Sequence, residues 1–292
     1  MVRRALCWAL LLLPLAGAAA AELRVRDDAG RELVLAAPAR RVVALAPSLV
    51  EILYHIGAGD RLVGASAFSD FPPEAARLPR VADHAGVNLE RLLELAPDLV
   101  LAWGSGNGAE AIARLERLGL VVFVAEPRGL GDLPGLFERL GVLTGRAVSG
   151  AARAEAFRAR LARLEKYARR RPLRVFYQLW AEPLLTVNAE HFASDLLARC
   201  GGHNVFADAR PLVPQVSVEA VLAADPEVIL VPAFGAGEGE RWLAFWRRWP
   251  TLAAVRSGRL YEVPADLLAR ASPRLLEGAE RVCRLLDGAR QP

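Results

Sequence analysis

The chain has 292 residues, 53% of them hydrophobic and 24% charged, which is enough apolar material for the cores of two domains. The formal net charge of +4 comes almost wholly from arginine, because Lys166 is the only lysine. The arginines are scattered along the chain and are not concentrated beside stacking aromatic residues, which argues against a nucleic-acid-binding protein.

Residues 1–21 have the pattern of a secretory signal peptide. Two early arginines precede an apolar run over residues 5–15, and small residues then form a cleavage site before Glu22. The apolar run contains Pro14 and is too short to cross a bilayer, which favours cleavage over a membrane anchor. We therefore expect export to the periplasm as a protein that begins at Glu22.

Residues 22–146 alternate between strand and helix patterns and are predicted to form an N-terminal lobe. Residues 22–35 read as a hairpin whose turn is Asp-Asp-Ala-Gly. Apolar, β-branched strands are predicted near residues 42, 62, 99 and 121, with helices between them. Such alternation predicts a parallel sheet with helices on its faces.

Residues 147–171 predict one long connecting helix. The segment contains no proline, its apolar residues recur at helical spacing, and Pro172 ends it. Alternation then resumes over residues 172–292, which we predict to be a C-terminal lobe. The expected fold is α/β, with two similar lobes of parallel-rich sheet, one rigid helix between them and a ligand cleft between the lobes. A stiff connector of this kind permits only small relative motion of the lobes.

An internal repeat supports the division into two lobes. Residues 88–101 align without gaps with residues 217–230. In each segment an Asn or Ser in the N-cap position opens a helix, and a glutamate, Glu90 or Glu219, follows two residues later. A proline then separates the helix from a buried strand. We infer two related α/β units, one on each side of the connecting helix.

Two of the three cysteines remain after removal of the signal peptide, because Cys7 lies within it. Two cysteines in an oxidising compartment suggest one disulfide between Cys200 and Cys283. The alternative is two separate buried thiols.

No motif in the sequence indicates a catalytic centre. The glycine-rich segments 104–108 and 235–239 lack the spacing of a dinucleotide-binding loop, and no G-x-S-x-G nucleophile motif is present. The histidines show no i, i+4 pair of the kind that binds a metal; they are His55, His84, His191 and His203. We expect neither an enzyme nor a resident cofactor, with a periplasmic hydrolase as the weaker alternative.

Six short motifs, in a fixed order, carry a resemblance to a known family. They occupy residues 69–73, 88–91, 97–103, 200–206, 214–217 and 270–274. Through them the chain resembles the periplasmic binding proteins of metal-chelate and cobalamin importers, and within that group the BtuF-type cobalamin-binding proteins. The similarity extends from Arg41 to Leu286.

The resemblance implies a corrinoid ligand held between the lobes. The positions that match ligand-contacting residues of the family are Phe68, Trp103, Asp266 and Arg270. Aromatic rings suit the apolar faces of a corrin, and an acceptor and a donor suit its rim of amides. The resemblance also implies the Cys200–Cys283 disulfide.

The resemblance further implies a partner, an inner-membrane permease dimer. Glu90 and Glu219 match the glutamates with which the family docks onto permease arginines. Read alone, they are ordinary first-turn acids favoured by the helix dipole. We expect the receptor to be a monomer.

Two positions depart from the family pattern. His84 and Val213 stand where well-known members have tryptophans near the ligand. His84 is a candidate to bind the corrinoid or its cobalt, and the alternative is a loop histidine that only lines the cleft. These departures leave room for a different cobamide, for haem or for a ferric siderophore.

Overall fold

The computed structural model describes residues 22–291, so the predicted signal peptide lies outside the described residues. Within this range, no helix combines the length and the apolar character needed to cross a membrane. Two parallel-rich sheets form two lobes, as predicted, and a separate antiparallel hairpin precedes them. The hairpin consists of β1 (Leu23–Arg26) and β2 (Glu32–Leu35).

The N-lobe contains a six-stranded sheet with the order β6-β5-β4-β3-β7-β8. All neighbouring strands are parallel except β5 and β6, which are antiparallel. The strands are β3 (Val42–Ala44), β4 (Leu62–Ser66), β5 (Arg80–Asp83), β6 (Gly86–Val87), β7 (Leu99–Trp103) and β8 (Val122–Ala125). The helices are α1 (Pro47–His55), α2 (Leu89–Glu94), α3 (Gly104–Asn107), α4 (Ala109–Arg117) and α5 (Leu133–Leu143), with 3₁₀ turns at Gly59–Arg61, Pro73–Arg77 and Leu130–Asp132.

The C-lobe contains a four-stranded sheet with the order β10-β9-β11-β12, and all its neighbouring strands are parallel. The strands are β9 (Leu173–Tyr177), β10 (Gly202–Asn204), β11 (Val228–Ala233) and β12 (Leu260–Pro264). The helices between and after them are α8 (Phe192–Arg199), α9 (Val218–Ala224), α10 (Glu238–Trp246), α11 (Ala253–Arg256) and α12 (Leu275–Gly288), with a 3₁₀ turn at Ala265–Leu267.

The connecting segment differs from the single helix predicted over residues 147–171. Helix α6 (Ala147–Ala162) has 16 residues, and a turn separates it from the short helix α7 (Glu165–Ala168). At this turn the N–H of Leu164 bonds to the carbonyl of Leu161, three residues back, so the chain tightens. The tightening places the Leu164 side chain in the core. The prediction of one continuous helix was therefore wrong in its last third.

Helix α6 spans roughly 24 Å at 1.5 Å per residue. Its buried face approaches α5 so closely that a Cβ on Gly150 would lie 2.6 Å from the carbonyl oxygen of Phe137. Phe157 and Leu161, further along the same face, join one buried cluster with residues of both lobes. The lobes therefore share a continuous apolar core along the connector.

The internal repeat has the same backbone structure in both lobes. Asn88 and Ser217 cap α2 and α9 by accepting a hydrogen bond from the backbone N–H three residues later. The residue before the proline has a positive φ in each copy, 41° at Ala96 and 38° at Asp225. In each lobe the repeat is thus a helix and an equivalent turn that lead into a buried strand, and that strand lies next to an edge strand of the sheet.

The Cys200–Cys283 disulfide is formed, with Cα atoms 4.4 Å apart. It joins the end of α8 to α12, and both residues are fully buried.

Candidate functional site

A cleft lies where the carboxyl ends of strands from both sheets meet. The carboxyl ends of parallel strands are the usual place for ligands in open α/β sheets, because the connecting loops diverge there. A pocket that is partly open to solvent lies in this cleft. It is lined by residues of both lobes: Ala46, Pro47, Ser48, Leu49, Trp103, Ser105, Ala125, Glu126, Pro127, Arg128, Leu136, Glu190, His191, Phe192, Leu212, Ala269, Arg270 and Ala271.

A second cavity, also partly open to solvent, adjoins the first and shares several of its walls. Leu179 and Val213 line this second cavity together with Trp103. The cleft walls are mainly apolar, with charged groups limited to a few positions such as Arg270. This combination suits a ligand with apolar faces and a polar rim.

Two of the predicted ligand residues line the cleft. Trp103 ends β7 and is 40% exposed, so its ring forms part of the wall of both cavities. Arg270 follows β12 and lines the first cavity from the C-lobe. Asp266 lies on the 3₁₀ turn before Arg270 and pairs with its guanidinium at 3.3 Å.

The other predicted ligand residues lie outside the two cavities. Phe68 is 72% exposed on the loop after β4 and has a φ of 60°. His84 is exposed in the connection between β5 and β6. Neither side chain lines a cleft cavity, so contact between the ligand and Phe68 or His84 stays a prediction.

The two predicted docking glutamates are exposed at equivalent places. Glu90 lies in the first turn of α2 and Glu219 in the first turn of α9. Hydrogen bonds from its own backbone N–H and from the Ser217 hydroxyl lower the pKa of Glu219. Its carboxylate is therefore charged at neutral pH.

A network of charged residues at the edge of the cleft was not predicted. Glu51 of α1 is almost fully buried and accepts hydrogen bonds from Arg270 and Arg274 of the C-lobe. Asp70, on the loop after β4, adds a longer pair to Arg270 at 3.5 Å. The sequence gives no signal that Glu51 has partners in the other lobe.

His191, which lines both cavities, was also missed as a cleft residue. Its Nδ1 accepts a hydrogen bond from the Ala193 N–H and so caps α8. Its ring lies 4.1 Å from that of Phe192. Burial, helped by the nearby Arg128, lowers the pKa of His191 to about 4, so the imidazole is neutral at physiological pH.

An aromatic cluster stands at the carboxyl end of the C-lobe sheet. Trp180 follows β9 and Phe234 follows β11, and they are 41% and 48% exposed. Their ring centroids are 5.5 Å apart, and Trp242 of α10 packs against both. The sequence predicts alternating strands and helices in this lobe, but it did not single out the aromatic residues that follow these two strands.

Between residues 22 and 291 there is no group of three or more His, Cys, Asp or Glu residues placed to hold a metal ion.

A model of the periplasmic binding protein family matches residues 42–267. The chain belongs to this family. It is 38% identical over 256 residues to the vitamin B12-binding protein of Vibrio cholerae serotype O1, covering 87% of this chain and 91% of that protein. It is 36% identical over 255 residues to the vitamin B12-binding protein of Yersinia pestis, covering 87% of this chain and 89% of that protein.

Solved structures agree with the family assignment. The crystal structure of the periplasmic vitamin B12 binding protein BtuF of Vibrio cholerae matches with a TM-score of 0.81 at 38% identity, covering 87% of this chain and 99% of that one. The periplasmic heme-binding protein RhuT of Roseiflexus sp. RS-1 matches with a TM-score of 0.76 at 24% identity, over 86% of this chain and 99% of that one. At 24% identity, the match to RhuT shows a similar fold and nothing further. The predicted two-lobed α/β fold and the family resemblance are confirmed.

Proposed function

We propose that this protein captures cobalamin or a related corrinoid in the periplasm and delivers it to an ABC importer in the inner membrane. The observation that carries the proposal is the apolar cleft between the lobes, with Trp103 in its wall and Arg270 at its edge. The 38% identity to a vitamin B12-binding protein supports the choice of ligand class.

The chemistry of the cleft residues suits a corrinoid. A corrin is a flat ring with apolar faces and a rim of amide groups. Trp103 offers an aromatic surface to one face, and Leu179 and Phe192 add apolar area. Arg270 can donate hydrogen bonds to the amide oxygens, and Asp266 can accept them from the amide nitrogens. Such a site binds and orients its ligand without covalent chemistry, so the proposed role is that of a receptor and not of an enzyme.

Delivery to the importer is proposed to use Glu90 and Glu219. Because the two glutamates occupy equivalent first turns in related lobes, they present two anionic points with near-twofold disposition. A permease built from two copies of one subunit would present its arginines in a matching arrangement. A monomeric receptor satisfies this geometry.

The ligand class is tested by thermal unfolding of the purified protein with cobalamin, cobinamide, haem or a ferric siderophore. A ligand that binds only the folded protein raises the melting temperature. We expect cobalamin or cobinamide to raise it and the other two ligands to leave it unchanged. A shift with haem or siderophore alone would replace the corrinoid by that chelate, and turnover of a small molecule would favour the hydrolase.

The role of Trp103 is tested by Trp103→Ala. Loss of one aromatic surface should weaken corrinoid binding by about 1–3 kcal/mol, or roughly 5-fold to 150-fold. The control is Leu118→Ala, because Leu118 is similarly exposed, at 46%, and does not line either cleft cavity. Equal corrinoid affinities for the two variants would contradict the proposal that Trp103 contacts the ligand.

The docking proposal is tested with the double variant Glu90→Ala/Glu219→Ala. Corrinoid affinity should be unchanged, while transport by the permease in reconstituted vesicles should be lost. The matched control is Glu110→Ala/Glu277→Ala, which removes one exposed first-turn acid from a helix of each lobe. Equal loss of transport in both double variants would point to net charge and would contradict the docking roles.

A further inference from the structure

Glu51 is a buried charged residue whose hydrogen-bond partners come from the other lobe. It lies in α1 of the N-lobe, and only 4% of the residue is exposed. Taking a carboxylate out of water costs several kcal/mol unless charged partners satisfy it. Its position therefore has to be explained by the groups around it.

Two arginines of the C-lobe provide those groups. Arg274 binds Glu51 through two bonds, from Nε to Oε2 at 3.0 Å and from Nη2 to Oε1 at 2.7 Å. Arg270 donates from Nη1 to Oε1 at 3.2 Å. A bidentate arginine–carboxylate pair is both strong and geometrically specific. One N-lobe carboxylate therefore holds two C-lobe guanidinium groups.

The loop after β4 adds a second set of N-lobe contacts to the same arginines. The Arg274 guanidinium lies 4.0 Å from the centroid of the Phe71 ring, within the range of a cation–π interaction. Asp70 approaches Arg270 at 3.5 Å, but its side chain is 65% exposed, so solvent screens that pair. Glu51 is thus the buried centre of the cluster.

The position of Arg270 links this cluster to the cleft, since the same side chain lines the first cavity. Apart from Glu51 and Asp70, it pairs with Asp266 of its own lobe at 3.3 Å. The N-lobe therefore contributes to the placement of a C-lobe residue that faces the ligand space.

We propose that Glu51 is a positioning residue that fastens Arg270 and Arg274 to the N-lobe, and thereby sets both the width of the cleft and the direction of Arg270. The connector α6 limits how the lobes move, and Glu51 fixes their separation on the side of the cleft where these arginines lie. The part that concerns Arg270 and the corrinoid rests on the proposed function, whereas the part that concerns lobe separation does not.

The charge of Glu51 is the essential feature. Without it, two guanidinium groups of the same sign lie close together with less compensating charge, and only the exposed Asp70 and the Phe71 ring still link them to the N-lobe. Glu51→Gln keeps the size of the side chain and removes the charge. We expect the two lobes of this variant to sample a wider range of separations, with a longer mean distance.

The test measures lobe separation by pulsed electron–electron dipolar spectroscopy on the ligand-free protein, with its disulfide intact. Spin labels are attached at Leu118→Cys in the N-lobe and Ala244→Cys in the C-lobe, two exposed positions. The Glu51→Gln variant should give a broader and longer distance distribution, and Glu51→Asp should restore part of the narrow distribution. A distribution identical to that of the parent protein would overturn the proposal.

The matched control is Asp27→Asn. Asp27 is also a buried carboxylate, 3% exposed and paired with an arginine, but its partner Arg31 lies in the same hairpin. This variant should unfold more easily without a change in the distance distribution. Should Glu51→Gln fail to fold, Arg274→Gln removes the bidentate partner and serves the same distance test, with the same two outcomes.

Cobalamin affinity is the second readout. We expect Glu51→Gln to bind cobalamin at least about tenfold more weakly, because Arg270 is no longer held in place. If the parent protein bound no corrinoid, the proposed function would fail while the distance result would still stand. If Glu51→Gln bound cobalamin as tightly as the parent, the role of Glu51 in directing Arg270 would be overturned.

Discussion

The disulfide between Cys200 and Cys283 should provide a large share of the stability of the C-lobe. It closes a loop with a sequence separation of 83, which contains three of the four C-lobe strands. For a loop of this length, the lost entropy of the unfolded chain corresponds to about 4–5 kcal/mol at 25 °C. Domains of ordinary stability unfold with about 5–15 kcal/mol, so reduction should bring this lobe close to its threshold.

Urea unfolding of the protein with and without reductant measures this contribution. Intrinsic fluorescence reports mainly on the C-lobe, because it contains four of the five tryptophans in the described part of the chain: Trp180, Trp242, Trp246 and Trp249. The reduced protein should unfold at a lower urea concentration, and its free energy of unfolding should be smaller by up to about 4–5 kcal/mol.

The control is the double variant Cys200→Ala/Cys283→Ala, whose unfolding should not respond to reductant. Both cysteines are fully buried, so the reductant is added at a urea concentration that unfolds the protein. The samples are then diluted to the final urea concentrations and equilibrated. Equal free energies of unfolding for the oxidised and reduced protein would refute the loop-entropy reasoning.

Two further predictions concern helix packing and pH. Gly150→Ala should destabilise the protein by about 1–3 kcal/mol, since the new methyl group would lie 2.6 Å from a backbone oxygen of α5. Gly135→Ala in the same pair of helices meets no atom within 4 Å and should stabilise by about 0.5–1 kcal/mol. Chemical unfolding measures the change in the free energy of unfolding for each variant. The close contact would be contradicted if both substitutions stabilised the protein or both destabilised it. The pKa of His191 is about 4 in the folded protein and about 6.5 in the unfolded chain, so protonation of His191 favours the unfolded state. Roughly 3 kcal/mol of stability is therefore present above pH 6.5 and is lost as the pH falls from about 6.5 to about 4. His191→Asn keeps a cap and should reduce the slope of this part of the stability curve without abolishing it, because burial also lowers the pKa of His55 to about 4. An unaltered slope in His191→Asn would contradict the assignment.

The lobes could be predicted because their signals are local. Each buried strand is a short apolar run beside a turn signal, and the repeat at residues 88–101 and 217–230 shows that one unit occurs twice. The break after α6 could not be predicted in this way. Residues 147–171 keep a helical pattern throughout, and the turn at Leu164 depends on the core that its side chain reaches.

The position of Trp103 and Arg270 at the cleft could be predicted because each follows directly from its strand or its motif, whereas their contact with a ligand stays a prediction. Glu51 could not be found, because its partners are 219 and 223 residues away and belong to the other lobe. His191 looked like an isolated histidine before a helix. Only the folded chain brings it to the wall of the cleft.

The central claim is that the protein binds a corrinoid, and equilibrium dialysis of cobalamin against the purified protein tests it most directly. The protein used begins at Glu22. The visible absorption of cobalamin gives the bound amount without a label. We predict saturable binding of one cobalamin per chain, weakened by Trp103→Ala. Equal cobalamin concentrations on both sides of the membrane, at every protein concentration used, would contradict the account.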